Sequence, residues 1–340
     1  MFKFIITRNL VEPFFIIIAF IMVLKPNKRA YKVISLLIKT VILIVSFCYI
    51  WQKISIAGHT IGFFGLLHNP NKNYLFAVCL LLFVNWGLEA MKWQLLISKF
   101  ENITFLQSMA SVFSGVTISI FTPNRVGEFA GRIFYLRKAD KLQATISSMI
   151  GSSFQLLITV LAGILAYFIL QNNYNDFFQT SQFISTNAAL GLIFCAVLFV
   201  GVLVFIYLKR NKQFAKYKKY IEVLSMYSLS ELLVVGGLSL FRYAVFSFQY
   251  YLVLKLFGVN AGTTIFFSLI ALTFFVTSVI PTFALTEIAV RGATAVYFFG
   301  TLYPDSTAIV AASLLLWIIN LGVPALAGGI FIWKLKFFKE

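Results

Sequence analysis

The sequence predicts an all-α integral membrane protein, a polytopic helical bundle of about seven to eight spans plus two re-entrant helical hairpins in an inverted repeat. Of the 340 residues, 60% are hydrophobic and only 11% are charged, and the mean hydropathy is +0.91. Several uncharged apolar stretches reach the roughly 20 residues that a helix needs to cross a bilayer. No long polar stretch is present, so we expect one membrane domain with short loops.

The basic residues lie mostly at the ends of the apolar segments. A formal net charge of +17 would suggest nucleic-acid binding in a soluble protein, but this placement is typical of the positive-inside rule. We therefore expect no nucleic-acid partner. The same rule places the basic loops 25–32 and 209–219, and the C-terminus, in the cytoplasm.

The elements follow in order from this orientation. Residues 1–32 combine an apolar segment and a basic cluster, and three interpretations of residues 1–24 are open: a span, an interfacial segment, or residues before a start at Met22. Residues 33–340 form the single membrane domain. Its predicted spans are 33–52, 74–97, 142–170, 188–208, 221–256 and 307–333.

Two segments do not fit as simple spans. Residues 102–141 must begin and end in the cytoplasm, yet they hold one apolar run, a proline and a charged return. Residues 262–300 repeat this arrangement with both ends outside. Each segment therefore predicts a re-entrant hairpin, and hairpins entering from opposite faces are typical of transporters with a substrate site near the midplane.

Both predicted hairpins carry a Glu/Arg pair four residues apart, which are neighbours on a helix. Charge at membrane depth costs roughly 2.5 kcal/mol or more and usually marks a functional site. In the first hairpin a helix is expected to start at Pro123, so that Arg125 lies on it three residues before Glu128. Arg125 or Arg132 would then present a planar fork suited to a lipid phosphate, with Glu128 orienting it. The alternative is an ion pair that only anchors the hairpin. The residues predicted to form the turns and to allow close helix packing are Pro123, Gly127, Gly131 and Pro281.

The second pair is Glu287 and Arg291, where Thr286 is expected to cap a helix beginning at Glu287. A purely structural pair is about as well supported there. Arg242, in the middle of the predicted span 221–256, is expected to line the same cavity. Glu89 and Lys92 are expected to form an internal pair, and Asn320 and Pro324 to mark a polar spot and a kink in the last span.

Three motifs together resemble the lysylphosphatidylglycerol synthase transmembrane family, also called flippase-like. They are Asn85-Trp86-Gly87-Leu88-Glu89-Ala90-Met91-Lys92-Trp93, then Pro123-Asn124-Arg125-Val126-Gly127-Glu128 with Gly131-Arg132, then the Pro281–Glu287 stretch. The similarity covers roughly residues 30–335. In the third motif Thr282, Phe283 and Ala284 stand where the family usually has glycines. The resemblance implies a bacterial or archaeal membrane protein whose relatives move aminoacylated phospholipid between leaflets, here without the aminoacyltransferase domain.

We therefore expect a protein of the bacterial cytoplasmic (inner) membrane that translocates an anionic phospholipid, or an aminoacylated or lipid-linked headgroup, between leaflets. Its partners would be this lipid and the bilayer. No nucleotide, metal or catalytic-triad motif is visible, so we expect no cofactor, no metal and no enzyme. The alternatives are a membrane-embedded enzyme of lipid or glycolipid synthesis, with Glu128 or Glu287 as base, and a scaffold for a partner lipid synthase. The expected substrate-binding residues are Arg125, Glu128, Arg132, Arg242, Glu287 and Arg291.

Overall fold

The computed structural model of the protein describes residues 72–120, 122, 125–173, 218–280, 284–300 and 302–333, and every regular element in these ranges is helical. The predicted all-α fold is confirmed. In chain order the helices are α1 Lys72–Ile97, α2 Phe105–Ser119, α3 Gly127–Ile133, α4 Lys141–Asn173, α5 Lys218–Ser225, α6 Leu229–Leu256, α7 Thr263–Val279, α8 Ala284–Phe299, α9 Ser306–Trp317 and α10 Val323–Trp333, with a π-helical turn, Ile318–Gly322, between α9 and α10.

Four helices in the described ranges are long and apolar enough to cross a membrane. Two further apolar helices, α2 and α7, have only 15 and 17 residues and occupy the apolar arms of the two predicted hairpins. The predicted spans 33–52 and 188–208, and the turn prolines Pro123 and Pro281, lie outside the described residues. The four spanning helices are Asn73–Ile97, Lys141–Gln171, Leu229–Leu256 and Ser306–Ile332.

Polar residues at the helix ends set where these helices begin. Thr104 and Gln107 form a reciprocal capping box at the start of α2, and Ser228 and Glu231 form another at the start of α6. Each box satisfies backbone N–H groups that have no partner inside the helix. The prediction of one span over 221–256 was wrong, because the chain leaves the helix before Ser228 and starts again there.

The first predicted hairpin returns to its own starting point. The Glu101 carboxylate, just before α2, accepts hydrogen bonds from the backbone N–H groups of Arg137, Lys138 and Ala139, just after α3, at 2.6–3.0 Å. Partial burial raises the pKa of this carboxyl, but the three N–H donors outweigh it, so the pKa lies below its ordinary value. The two ends of the α2–α3 unit are thus held at one place, as a hairpin requires.

The two halves of the described bundle contact each other reciprocally. Helices α1 and α6, which precede the two short apolar helices, pack against one another. Helix α2 packs on α10 at the end of the second half, and α7 packs on α4 at the end of the first. Each half therefore packs its short apolar helix on the last helix of the other half. This is the contact pattern that an internal repeat produces.

Small residues allow the first hairpin to close tightly. A Cβ atom built on Gly131 of α3 would overlap the Gly115 Cα atom of α2, and one built on Gly127 would lie 2.7 Å from the Ile118 carbonyl oxygen. Backbone to backbone contact of this kind is possible only without a side chain. Helices α2 and α3 therefore approach closely enough to act as one unit.

The Gly131→Ala substitution should separate α2 from α3, because the added methyl group would meet backbone rather than a movable side chain. We expect a loss of about 1–3 kcal/mol, measured as a lower thermal midpoint of the purified protein in detergent. The control is Gly237→Ala on α6, where nothing lies within 4 Å of the added Cβ atom. Equal midpoints for the two variants would contradict this packing.

Candidate functional site

The Glu89 carboxylate of α1 is the centre of a buried charge cluster. Its Oε2 atom lies 2.7 Å from the Lys92 Nζ and 3.0 Å from an Arg242 guanidinium nitrogen, and its Oε1 atom lies 2.7 Å from an Arg132 nitrogen. Glu89 is only 4% exposed and Lys92 1%. One carboxylate therefore joins α1, α3 and α6. The internal pair predicted for Glu89 and Lys92 is present, but it belongs to this larger cluster.

Arg132 contacts acidic and aromatic side chains of α1 and α3. It pairs with Glu128 one turn earlier on α3, as the i,i+4 spacing predicted, and with Glu89 across the helix interface. Its guanidinium lies 5.4 Å from the centre of the Trp93 ring, within the range of a cation–π contact. Trp93 in turn donates to the Ser111 hydroxyl, which donates to the Arg132 carbonyl oxygen. Arg132 is thus a fixed, desolvated part of the hairpin rather than an open group.

A second cluster joins the two predicted hairpins. The Glu287 Oε1 atom on α8 lies 2.7 Å from an Arg125 nitrogen and 2.8 Å from an Arg291 nitrogen. The partners Arg125 and Glu287 are 162 residues apart in the sequence. The cluster therefore links the segment that precedes α3 to the first turn of α8.

Two local predictions about this cluster were wrong. Arg125 does not share a helix with Glu128, because α3 begins at Gly127 and Arg125 has a φ of 57°, in the left-handed region. The backbone at Arg125 is therefore not helical, and α3 starts two residues later, at Gly127. Helix α8 begins at Ala284, three residues before the start expected from a Thr286 cap.

The two clusters meet at one cavity of about 210 Å³. A single water needs only roughly 15 Å³ by the same kind of measure, so the space can hold a small polar group and several waters. Three arginines that the sequence singled out line it, namely Arg125, Arg242 and Arg291. Of the other expected binding residues, Glu128 and Arg132 are not among the lining residues, and Glu287 bridges two of the lining arginines.

Neutral polar groups position Arg242 in the cavity wall. Its Nε donates to the Asn85 side-chain oxygen at 3.1 Å, and Asn85 donates to the Asn320 oxygen at 2.9 Å in the π-helical turn. Gln155 of α4 lies 3.5 Å from the guanidinium, and Trp86 packs 5.3 Å from it. Sequence reasoning did not assign Asn85 or Gln155 to the site. The available signal was an amide side chain inside an otherwise apolar span.

The π-helical turn also explains the polar spot predicted in the last span. Proline cannot donate a hydrogen bond inside a helix, and the turn ends directly before α10, whose second residue is Pro324. Asn320, within the turn, is 7% exposed and bonds Asn85 of α1. Asn320 is the polar spot that was predicted, and its amide is among the groups that line the cavity, whereas the kink at Pro324 stays a prediction.

These features define a class of protein: an all-helical membrane protein in which two packed helical units bring paired charges to one polar cavity. The family model for the lysylphosphatidylglycerol synthase TM region matches residues 33–328, so the chain belongs to that family. The resemblance seen in the motifs is confirmed. It makes this a membrane protein of lipid metabolism or transport. No curated protein and no solved structure matches the chain.

The Glu89→Gln substitution should destabilise the protein far more than Glu128→Gln. Removing the Glu89 charge leaves Lys92, Arg132 and Arg242 close together without a shared carboxylate, and breaking such a buried cluster costs about 3–5 kcal/mol. Glu128 has a side chain that is 22% exposed and one cationic partner among the described residues. Because that partner, Arg132, keeps its pair with Glu89, we expect a loss of about 1 kcal/mol or less there. Thermal unfolding in detergent measures both, and equal losses would contradict the central position of Glu89.

Proposed function

We propose that the protein translocates a lipid between the leaflets of a bacterial cytoplasmic membrane, with the headgroup passing through the arginine-lined cavity. The observation that supports this most directly is the cavity wall. It carries Arg125, Arg242 and Arg291, and no carboxylate lies among its lining residues in the described ranges. A positively charged, hydrogen-bonding cavity between apolar helices is suited to an anionic headgroup.

Arginine suits this role better than a point charge. A guanidinium is planar, permanently charged and able to hold two phosphate oxygens at once. Arg125 and Arg291 converge on one Glu287 oxygen, so their forks are already directed at an acidic group. Each guanidinium has five N–H donors, so Arg125 and Arg291 can bind a phosphate while they keep a contact with Glu287. The headgroup can therefore be bound and released without leaving the Glu287 carboxylate unpaired.

The apolar part of the wall suits the rest of a lipid. Five aromatic side chains line the cavity beside the three arginines. They provide a surface for the glycerol and the first carbons of the acyl chains, while the remaining chain stays in the bilayer. These side chains are Trp86, Tyr243, Phe246, Phe274 and Trp317.

We also propose that the protein is not an enzyme. A carboxylate that acts as a general base must lie within hydrogen-bond reach of the proton it removes from the substrate. The two glutamates considered for this role, Glu128 and Glu287, each pair with arginine and neither lines the cavity. Because the sequence has no Walker A motif, movement would be downhill or coupled to an ion gradient.

Reconstitution tests this proposal. The protein is placed in vesicles that carry a fluorescent phosphatidylglycerol, and quenching from outside reports the fraction of label in each leaflet. We expect exchange with the intact protein and at least about tenfold slower exchange with Arg242→Gln, since charge-assisted hydrogen bonds are worth about 1.5–3 kcal/mol. Arg137→Gln, an exposed arginine after α3, is the matched control and should exchange normally.

Two results would reject the proposal. Absence of exchange of any labelled lipid with the folded protein would remove translocation as the function. A new lipid product, found by mass spectrometry after incubation with the vesicle lipids, would favour the membrane-embedded enzyme instead. If neither exchange nor a product is found, the result would favour the third alternative, a scaffold for a partner lipid synthase.

A further inference from the structure

The residues around the cavity indicate the chemical class of the headgroup as well as the sign of its charge. We infer that the protein takes a headgroup with two negative charges and no ammonium group, a phosphate monoester or a diphosphate, in preference to an aminoacylated phospholipid. The inference rests on the proposed function, since it concerns the substrate of the same cavity.

The charge balance of the two clusters leaves room for two negative charges. Among the residues that the structure describes, five cations take part in the two clusters against three carboxylates, which is an excess of two positive charges. A phosphate monoester carries about −1.5 to −2 at neutral pH and would balance this excess. A phosphodiester carries one negative charge and would leave one positive charge unbalanced. The five cations are Lys92, Arg125, Arg132, Arg242 and Arg291.

An aminoacylated headgroup adds an ammonium group, and the described cavity offers it no anionic partner. Each of the three carboxylates is already shared with arginine, and none is a lining residue. Glu89 has three cationic neighbours and Glu287 has two. An ammonium group brought near the three lining arginines would instead meet like charge, which disfavours binding.

Two buried N–H donors of the wall favour the same chemistry. The indole N–H of Trp86 and the Nε–H of Arg291 are buried without a hydrogen-bond partner within the described residues. Trp86 is 5% exposed, and both residues line the cavity. Both groups can only donate, and a buried donor left unsatisfied is costly. An occupant rich in acceptor oxygens satisfies both, whereas an ammonium group, itself only a donor, satisfies neither.

Three fluorescent lipids with the same acyl chains separate the headgroup classes. They are phosphatidic acid, a phosphate monoester; phosphatidylglycerol, a phosphodiester; and lysylphosphatidylglycerol, which carries the ammonium groups. In phosphatidylcholine vesicles containing the protein, with protein-free vesicles subtracted, we expect exchange to be fastest for phosphatidic acid. Exchange of lysylphosphatidylglycerol should be at least about tenfold slower, the effect of roughly one unsatisfied charged interaction.

A variant pair tests the cause of this selectivity. Gln155→Glu keeps the side-chain shape and adds a carboxylate to the cavity wall beside Arg242. It should narrow the preference for phosphatidic acid over lysylphosphatidylglycerol by several-fold. Gln107→Glu makes the same change on the exposed start of α2, where a glutamate preserves the capping box with Thr104, and the preference should stay as in the unchanged protein.

The outcomes distinguish this inference from the proposed function. If no lipid exchanges, translocation itself is rejected. If lipids exchange but lysylphosphatidylglycerol is moved as fast as phosphatidic acid or faster, translocation stands and the inferred headgroup class is overturned. An unchanged preference in Gln155→Glu would also overturn it. Uptake of radiolabelled inorganic phosphate without lipid exchange would show that the protein accepts a phosphate anion, and it would reject a lipid as the molecule that carries this anion.

Discussion

The ion cluster around Glu89 is the constraint on which the described structure depends. A carboxylate that is 4% exposed would be very costly alone, and three cations on three helices share it. Because cations of α1, α3 and α6 share this one carboxylate, separating these helices would remove buried ion pairs. The first hairpin is thereby fixed to the central helix pair, and Arg242 is held with one face directed at the cavity.

Glu287 is the shared carboxylate of the second cluster, where it pairs with Arg125 and Arg291. This cluster is more exposed than the one around Glu89, since the Arg125 side chain is 38% exposed. The Glu89 cluster therefore resembles a fixed structural centre, whereas the Glu287 cluster includes groups that a ligand can reach. Reciprocal packing of each short apolar helix on the opposite half places the two clusters around one cavity. Structural anchoring and ligand binding are thus assigned to different members of one charged set.

Much of the fold could be predicted from the sequence, because its signals are local. Apolar length marks the spans, i,i+4 spacing marks the Glu128–Arg132 pair, and glycines mark the close contact of α2 and α3. The Arg125–Glu287 contact could not be predicted, since only the folded chain brings residues of different hairpins together. The helix break before Ser228 was missed because apolar residues, such as Val223 and Leu224, also precede it, and the Ser228/Glu231 capping pattern is the local signal that marks it. In the sequence Asn85 and Gln155 are isolated amides within apolar segments, and only the folded structure shows that both lie beside Arg242.

The cavity is expected to contain water and to be positively charged although it lies among membrane helices. Cysteine accessibility measures this most directly, in a protein whose native cysteines are replaced. We expect Ser278→Cys, on the cavity wall, to react with water-soluble thiol reagents, and faster with an anionic than with a cationic one. Leu165→Cys, on the exposed apolar surface of α4, should react with neither. If the Ser278→Cys thiol is as unreactive as that of Leu165→Cys, the cavity does not contain water. If it prefers the cationic reagent, the cavity is not positively charged.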